Sequence, residues 1–282
     1  MADFIYDTPL LAVAGGLFIA LLAAREAGGW LAHQLGSDGG ERTEQGFILS
    51  GVLGLLALLI AFTFGLALDR YETRREFVVA EANAIGTADM RARLLAAPEA
   101  ERLTNLLRSY AEARLEYGRA EASGKPALQQ AATEMRARLQ AETLAAVEPL
   151  RGSPLVNLIV PAINETIDVG AAREAAMDAH LPTEVLAVLV IYAVVAAGVL
   201  GGALAGGRPH RLMTALMFLL LTLAVAVILD LDRPRRGLVT VSQAPMAMLV
   251  EALRTTPPPA PLASPPSPVQ PAPGGAGGSS RP

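Results

Sequence analysis

Ile60, Phe64 and Leu68 recur at intervals of four, which puts them on one side of a helix. They lie in Phe47 to Leu68, a run of 22 residues with no charged side chain. Apolar side chains stacked around an axis form a constriction that gates ions by wetting and dewetting. Thr63 flanks this face and Gly65 thins the helix beside it. One subunit cannot enclose a pore lined by a single helix, so such chemistry requires a homo-oligomer. The plain alternative is that these residues face lipid or neighbouring helices, and the spacing leaves both readings open.

Other reactive chemistry is sparse. The three histidines, His33, His180 and His210, are far apart, each next to an expected membrane boundary, so no metal site is expected. There is no Gly-x-Ser-x-Gly, Ser-x-x-Lys or His-Glu-x-x-His string, and no pair of carboxylates stands in an apolar setting that would tune one as an acid. The expectation is a protein that is not an enzyme and needs no cofactor. Within the apolar runs the polar residues are mostly Ser50, Thr63, Tyr192, Thr214 and Thr222. Proton-coupled transporters place Asp, Glu, His or Arg at mid-membrane, which argues against that class.

Two mixed-sign clusters follow apolar runs that leave on the same side: Asp69, Arg70, Arg74, Arg75 and Asp230, Asp232, Arg233, Arg235, Arg236. They are expected to pair across helices at the membrane surface. Any arginine left unpaired there would draw anions toward a pore mouth.

These residues must be positioned by helices. The pattern predicts an all-α membrane protein with four transmembrane helices and a cytoplasmic helical bundle extending from the second span. Residues 1–68 hold the first two spans and their connection. A cleaved signal peptide at the start is disfavoured because Asp3 and Asp7 stand where basic residues belong. The first span is expected to end at Arg25 and Glu26, with Gly28 to Gln45 a flexible polar loop. The second span has no Gly or Pro after Leu68, so it should continue as a helix into water and stop near Ala97, before Pro98. An apolar run of this length matches the ~30 Å hydrocarbon core.

Residues 69–180 carry three more amphipathic patterns, from Glu99, Ala127 and Leu155, with Pro161 inside the last. Residues 181–232 hold the third and fourth spans, joined by so short a connection that they must be antiparallel neighbours. Residues 233–254 are a charged cap and a short helix. Residues 255–282 are Pro, Ala, Gly and Ser, a composition that cannot bury a core.

Composition agrees with a membrane protein. The chain has 282 residues, 52% apolar and only 18% charged, with net charge −4. Mean hydropathy is +0.39. Nothing in that balance calls for a nucleic acid. The absence of cysteine excludes disulfides. Arg70, Arg74, Arg75, Arg233, Arg235 and Arg236 lie on the bundle side, against Arg25, Arg42, Arg208 and Arg211 on the other. The positive-inside rule therefore puts bundle and tail in the cytoplasm.

Several strings resemble a bacterial family called bestrophin-like: AFTFGLALDRY from Ala61 to Tyr71, EANAIGT from Glu81 to Thr87, AINETID from Ala162 to Asp168, and LDLDRPRRG from Leu229 to Gly237 with Val241-Ser-Gln243. The resemblance spans about Phe47 to Leu253. It implies a relationship to bestrophins, which are pentameric anion channels of the cell membrane, here a bacterial inner membrane. Each bestrophin subunit has four spans, with an apolar neck at spacing four on the second. Ile60, Phe64 and Leu68 match that neck, with Leu68 in place of a Phe. The acidic calcium clasp of animal bestrophins has no counterpart here. Asn83, Asn164, Glu165 and Asp168 belong to the family strings and are expected to form a buried polar network in the bundle, since a buried helix Asn needs a partner.

Two functions follow as expectations. One is a homo-oligomeric channel in lipid, a pentamer by resemblance, passing inorganic anions. The other is a non-conducting scaffold or sensor whose bundle, or the prolines around Pro257 and Pro265 to Pro268, binds a protein.

Overall fold

The computed structural model describes residues 8–35, 42–120, 124–205, 211–234 and 237–257. These form α1 (Leu10–Gln34), α2 (Arg42–Ala92), α3 (Glu99–Arg119), α4 (Lys125–Val147), a short 3-10 turn (Glu148–Leu150), α5 (Val156–Asp178), α6 (Thr183–Ala203), α7 (Arg211–Asp232) and α8 (Ala244–Thr255). No strand occurs among the described residues. Four segments, containing α1, α2, α6 and α7, are long and apolar enough to cross a membrane.

α2 is the axis of the molecule. Its 51 residues form one helix, about 77 Å long at ~1.5 Å per residue. Two cores are built along it. In the membrane half, α2 packs on α6 and α7, and α1 packs on the other side of the same pair. Leu56 and Ala67 of α2 meet Leu189, Ala193, Phe218 and Val225 there. In the extramembrane half, α2 packs on α3, α5 and α8, while α4 covers α3 and α5. Val78, Ile85, Leu103, Leu107, Ile159 and Met246 are buried in that second core. Tyr71 touches both cores and sits where they join.

The end of α1 differs from expectation. The helix runs on through Gly28 and Gly29 to Gln34, where a polar loop from Gly28 was expected. A Cβ on Gly28 would collide with the Gly198 carbonyl, and one on Gly201 with the Arg25 carbonyl. The glycines are there to let two helix backbones touch, a use favoured in membranes because apolar side chains gain nothing by leaving lipid for each other. That close approach offsets the ~1 kcal/mol helix cost of glycine. Arg42 to Gln45 likewise belong to α2, so residues 36–41, outside the described set, are what remains of the predicted loop. α2 itself ends at Ala92, five residues before the expected stop. Pro161 is accepted inside α5 at an exposed position.

Candidate functional site

The apolar stripe of α2 lies along its flank. Ile60 is half-buried, while Phe64 and Leu68 are 39% and 36% exposed. Ile60 and Phe64, with Ala57 and Ala61, face Leu220, Leu223, Ala224 and Val227 of α7 across an open apolar groove of about 490 Å³. Thr63 departs from expectation. It is fully buried inside the subunit, and its hydroxyl donates to the Leu59 carbonyl at 2.8 Å. A hydroxyl facing other helices is cheapest when bonded back to its own helix, so Thr63 does not belong to the exposed stripe.

Just past the membrane half, Arg74 reaches away from that stripe. Its guanidinium donates to the carbonyls of Ala176 and Ala179 at the end of α5, at 3.1 and 2.5 Å. It also donates to the carbonyls of Leu231 and Asp232 at the end of α7, at 3.1 and 3.4 Å. Helix C-termini carry partial negative charge and unpaired carbonyls, and a planar fork of donors suits two of them at once. Asp232 stands 3.6 Å from Arg74, and both are buried.

The Asp232 carboxylate accepts the Leu181 N–H with both oxygens, at 3.1 Å each. His180 Nδ1 lies 3.1 Å from the Asp232 carbonyl. The four-residue elbow between α5 and α6 is thus fastened by α2 and α7 together. Asp230 caps the turn after α7 by accepting the N–H groups of Leu238 and Val239 at 2.8 and 2.9 Å. A Cβ on Gly237 would lie 2.7 Å from that carboxylate. Arg233 donates to the Thr8 carbonyl at 2.8 Å and ties in the start of α1. Asp69 and Arg75 are exposed, and Arg70 is half-buried. Arg235 and Arg236 lie outside the described residues.

The buried polar network of the bundle is made of other residues than the sequence suggested. Asn83, Asn164, Glu165 and Asp168 are all exposed. They lie on α2 and α5, which pack together, but their side chains are on the outside of the bundle. The network centres on Glu81, which is fully buried. Glu81 takes Arg114 on one oxygen at 2.5 Å and Arg173 on the other. Arg114 also holds Glu174 at 2.5 Å and the Gly170 carbonyl at 3.1 Å, and its guanidinium lies 4.7 Å from the Tyr117 ring. Arg136 reaches Glu174 at 2.9 Å. Arg173 donates to Gln243 at 2.7 Å, joining the segment before α8 to α2 and α5. A Cβ on Gly118 would strike Gln243, and one on Gly170 would strike Tyr110, so these two glycines leave room for the network.

Electrostatics within this network are mutual. Burial alone would lower the Arg114 pKa, but Glu81, Tyr110 and Glu174 outweigh it and hold the guanidinium above its usual value. Burial, and then Glu81, push the Tyr110 phenol from 10.0 up to about 12. The folded state therefore keeps a proton that the unfolded chain gives up. This stability is complete below pH 10 and is lost as pH rises toward 12, about 2–3 kcal/mol in all. Melting curves between pH 9 and 12 should show this loss, and Tyr110→Phe should flatten it. Equal slopes in both proteins would refute the assignment.

No group of three or more His, Asp or Glu side chains suited to a metal occurs among the described residues. His33 is exposed, His180 sits at the elbow, and His210 lies outside the described residues.

Comparison with known proteins adds to this geometry. The family model of the bestrophin-like domain matches residues 17–246. The fold is similar to crystal structures of a bacterial bestrophin homolog from Klebsiella pneumoniae. A single-substitution variant of that homolog is 14% identical, with TM-score 0.61 over 84% of this chain and 96% of that chain. The same homolog phased on zinc is 13% identical, with TM-score 0.61 over 87% and 97%. At such identity the likeness is one of fold. No curated protein matches the sequence.

Proposed function

Because the chain belongs to the bestrophin-like family, we propose that it is a homo-oligomeric ion channel whose neck is the Ile60, Phe64 and Leu68 face of α2. The observation that carries this reading is the partly exposed apolar face, at Phe64 and Leu68 above all, of one helix that continues unbroken into the extramembrane bundle. In a ring of copies, pentameric by resemblance, such faces stack as apolar collars. The bundle and the C-terminal residues lie in the cytoplasm of a bacterial cell, with α1, α2, α6 and α7 crossing the inner membrane. The arginines at the bundle-side boundary support that orientation.

The resemblance supports an anion as the permeant ion. Arg74 is engaged by helix carbonyls and Asp232, so it is not a free attractor at the mouth. The exposed charges on α2 just past the apolar run are Asp69, Glu72, Arg75 and Glu76. The anion preference therefore rests on the resemblance and not on these side chains. A reversal potential in a chloride gradient measures it. A value on the cation side would overturn the sign and leave the channel intact.

The test of the neck is purified protein in planar bilayers, wild type against Phe64→Ala. Shortening the collar lowers the dewetting barrier, and current rises about tenfold for each ~1.4 kcal/mol removed. Identical currents would remove Phe64 from the neck. No current from wild type under varied voltage, salt and pH would favour the scaffold reading instead.

A further inference from the structure

Outside the membrane, water should be met by polar side chains, yet one face of the bundle is otherwise. Val79 and Met90 on α2 and Leu94 in the turn just after it are exposed, Met90 by 63%, and Leu158 of α5 is exposed as well. Between them lie Asn83 on α2 and Asn164, Glu165 and Asp168 on α5, all exposed. No other described helix covers this face, and on α2 it continues the uncovered face of the membrane half. Large apolar side chains exposed to water with polar groups interspersed have the mixed make-up of an interface between proteins.

Three contacts fix the relative height of α2 and α5, which run antiparallel. Arg74 meets Ala176, Glu81 meets Arg173, and Arg91 donates to the Leu158 carbonyl. By that register Asn83 stands level with Asp168, Val79 with Ala171, and Met90 with Leu158. The outer surface of α5 is small where that of α2 is large, as at Ala171 and Val79, and acidic where α2 offers an amide donor, as at Asp168 and Asn83. Rotation about an axis parallel to the rods moves no residue up or down, so copies in a ring meet at equal heights.

We infer that this face is the extramembrane interface between copies, with the α2 edge of one subunit seated on the α5 edge of the next. Asn83 donates to Asp168 of the neighbour, and Val79 packs on its Ala171. The inference rests on the homo-oligomer proposed above and adds its register, its direction and its residues.

The chain has no cysteine, so introduced pairs can be read without background. Copies carrying Asn83→Cys are co-assembled with copies carrying Asp168→Cys, and the mixture is oxidised. The expected result is a reducible dimer band, absent when Leu144→Cys, exposed on α4 away from this face, replaces Asn83→Cys. Light scattering of the unoxidised protein reports oligomer size independently. An intact oligomer without the dimer band overturns this interface and spares the channel. A monomer overturns both. A dimer band without bilayer current supports the interface and removes conduction. A band gained only after truncation beyond Thr255 would mean that the C-terminal residues cover this face, and would also overturn the proposal.

Discussion

Glu81→Ala is expected to unfold the extramembrane bundle at temperatures the wild type withstands. Arg114 and Arg173 are fully buried and share Glu81 between them. Without it, Arg173 keeps the neutral Gln243 and the Tyr117 ring but no described carboxylate, and Arg114 keeps Glu174, which already serves Arg136. Leaving buried charge uncompensated costs about 3–5 kcal/mol. For a bundle of this size that lowers the melting midpoint by more than about 10 °C. The contrast lies in a triple variant. Glu81→Met with Arg114→Leu and Arg173→Met removes all three charges and keeps apolar volume, and replacing whole buried ion clusters in this way is often neutral. The triple variant should therefore melt well above the single one. If Glu81→Ala melts within about 2 °C of wild type, the network is not what holds the bundle.

Arg74→Ala should be nearly as damaging, by a different route. The guanidinium satisfies carbonyls at the ends of α5 and α7 and stands beside Asp232. Its loss leaves an unbalanced carboxylate and unmet helix ends at one point, again about 3–5 kcal/mol. Arg74→Lys is expected to recover little, because a compact ammonium cannot fork between two helix ends. Arg74→Met with Asp232→Asn removes both charges and should regain part of the loss. Limited proteolysis around Ala179 to Pro182 reads the fastening directly. Unchanged cleavage in Arg74→Ala would mean that the elbow is held by packing alone.

The rod and the four membrane helices were legible because a charge-free run of bilayer length followed by polar residues without Gly or Pro admits few other readings. Gly28 and Gly29 were misread because the same residue that loosens a loop also lets two helices touch. Local sequence does not say which, though Gly198, Gly201 and Gly202 in the third span were a hint. Thr63 went astray because a position one residue from an apolar stripe on a helix lies 100° away and can face the opposite neighbour.

The bundle network was missed for a tertiary reason. Glu81, Arg114 and Arg173 are far apart in sequence and meet only when α2, α3 and α5 pack. A signal did exist. Each sits on its helix's apolar stripe: Glu81 between Val78 and Ile85, Arg114 between Tyr110 and Tyr117, Arg173 between Gly170 and Met177. A charge in line with core residues is a charge that must find a partner. Asn83 and its companions drew attention by their place in family strings, which says nothing about the direction they face.

The bundle is also interrupted in the order of synthesis. Its wall is α2 through α5, then the chain makes α6 and α7, and only afterwards come Gln243 and the buried Met246, Val250 and Leu253 of α8. Arg173 therefore leaves the ribosome some seventy residues before the glutamine that satisfies it, with a membrane hairpin to be inserted in between. The extramembrane core cannot close until the last span is in the bilayer. Closure of α8 onto α2 and α3 thus reports completed insertion, and a chain that fails to insert its final hairpin displays an open, half-built core to whatever degrades misassembled protein.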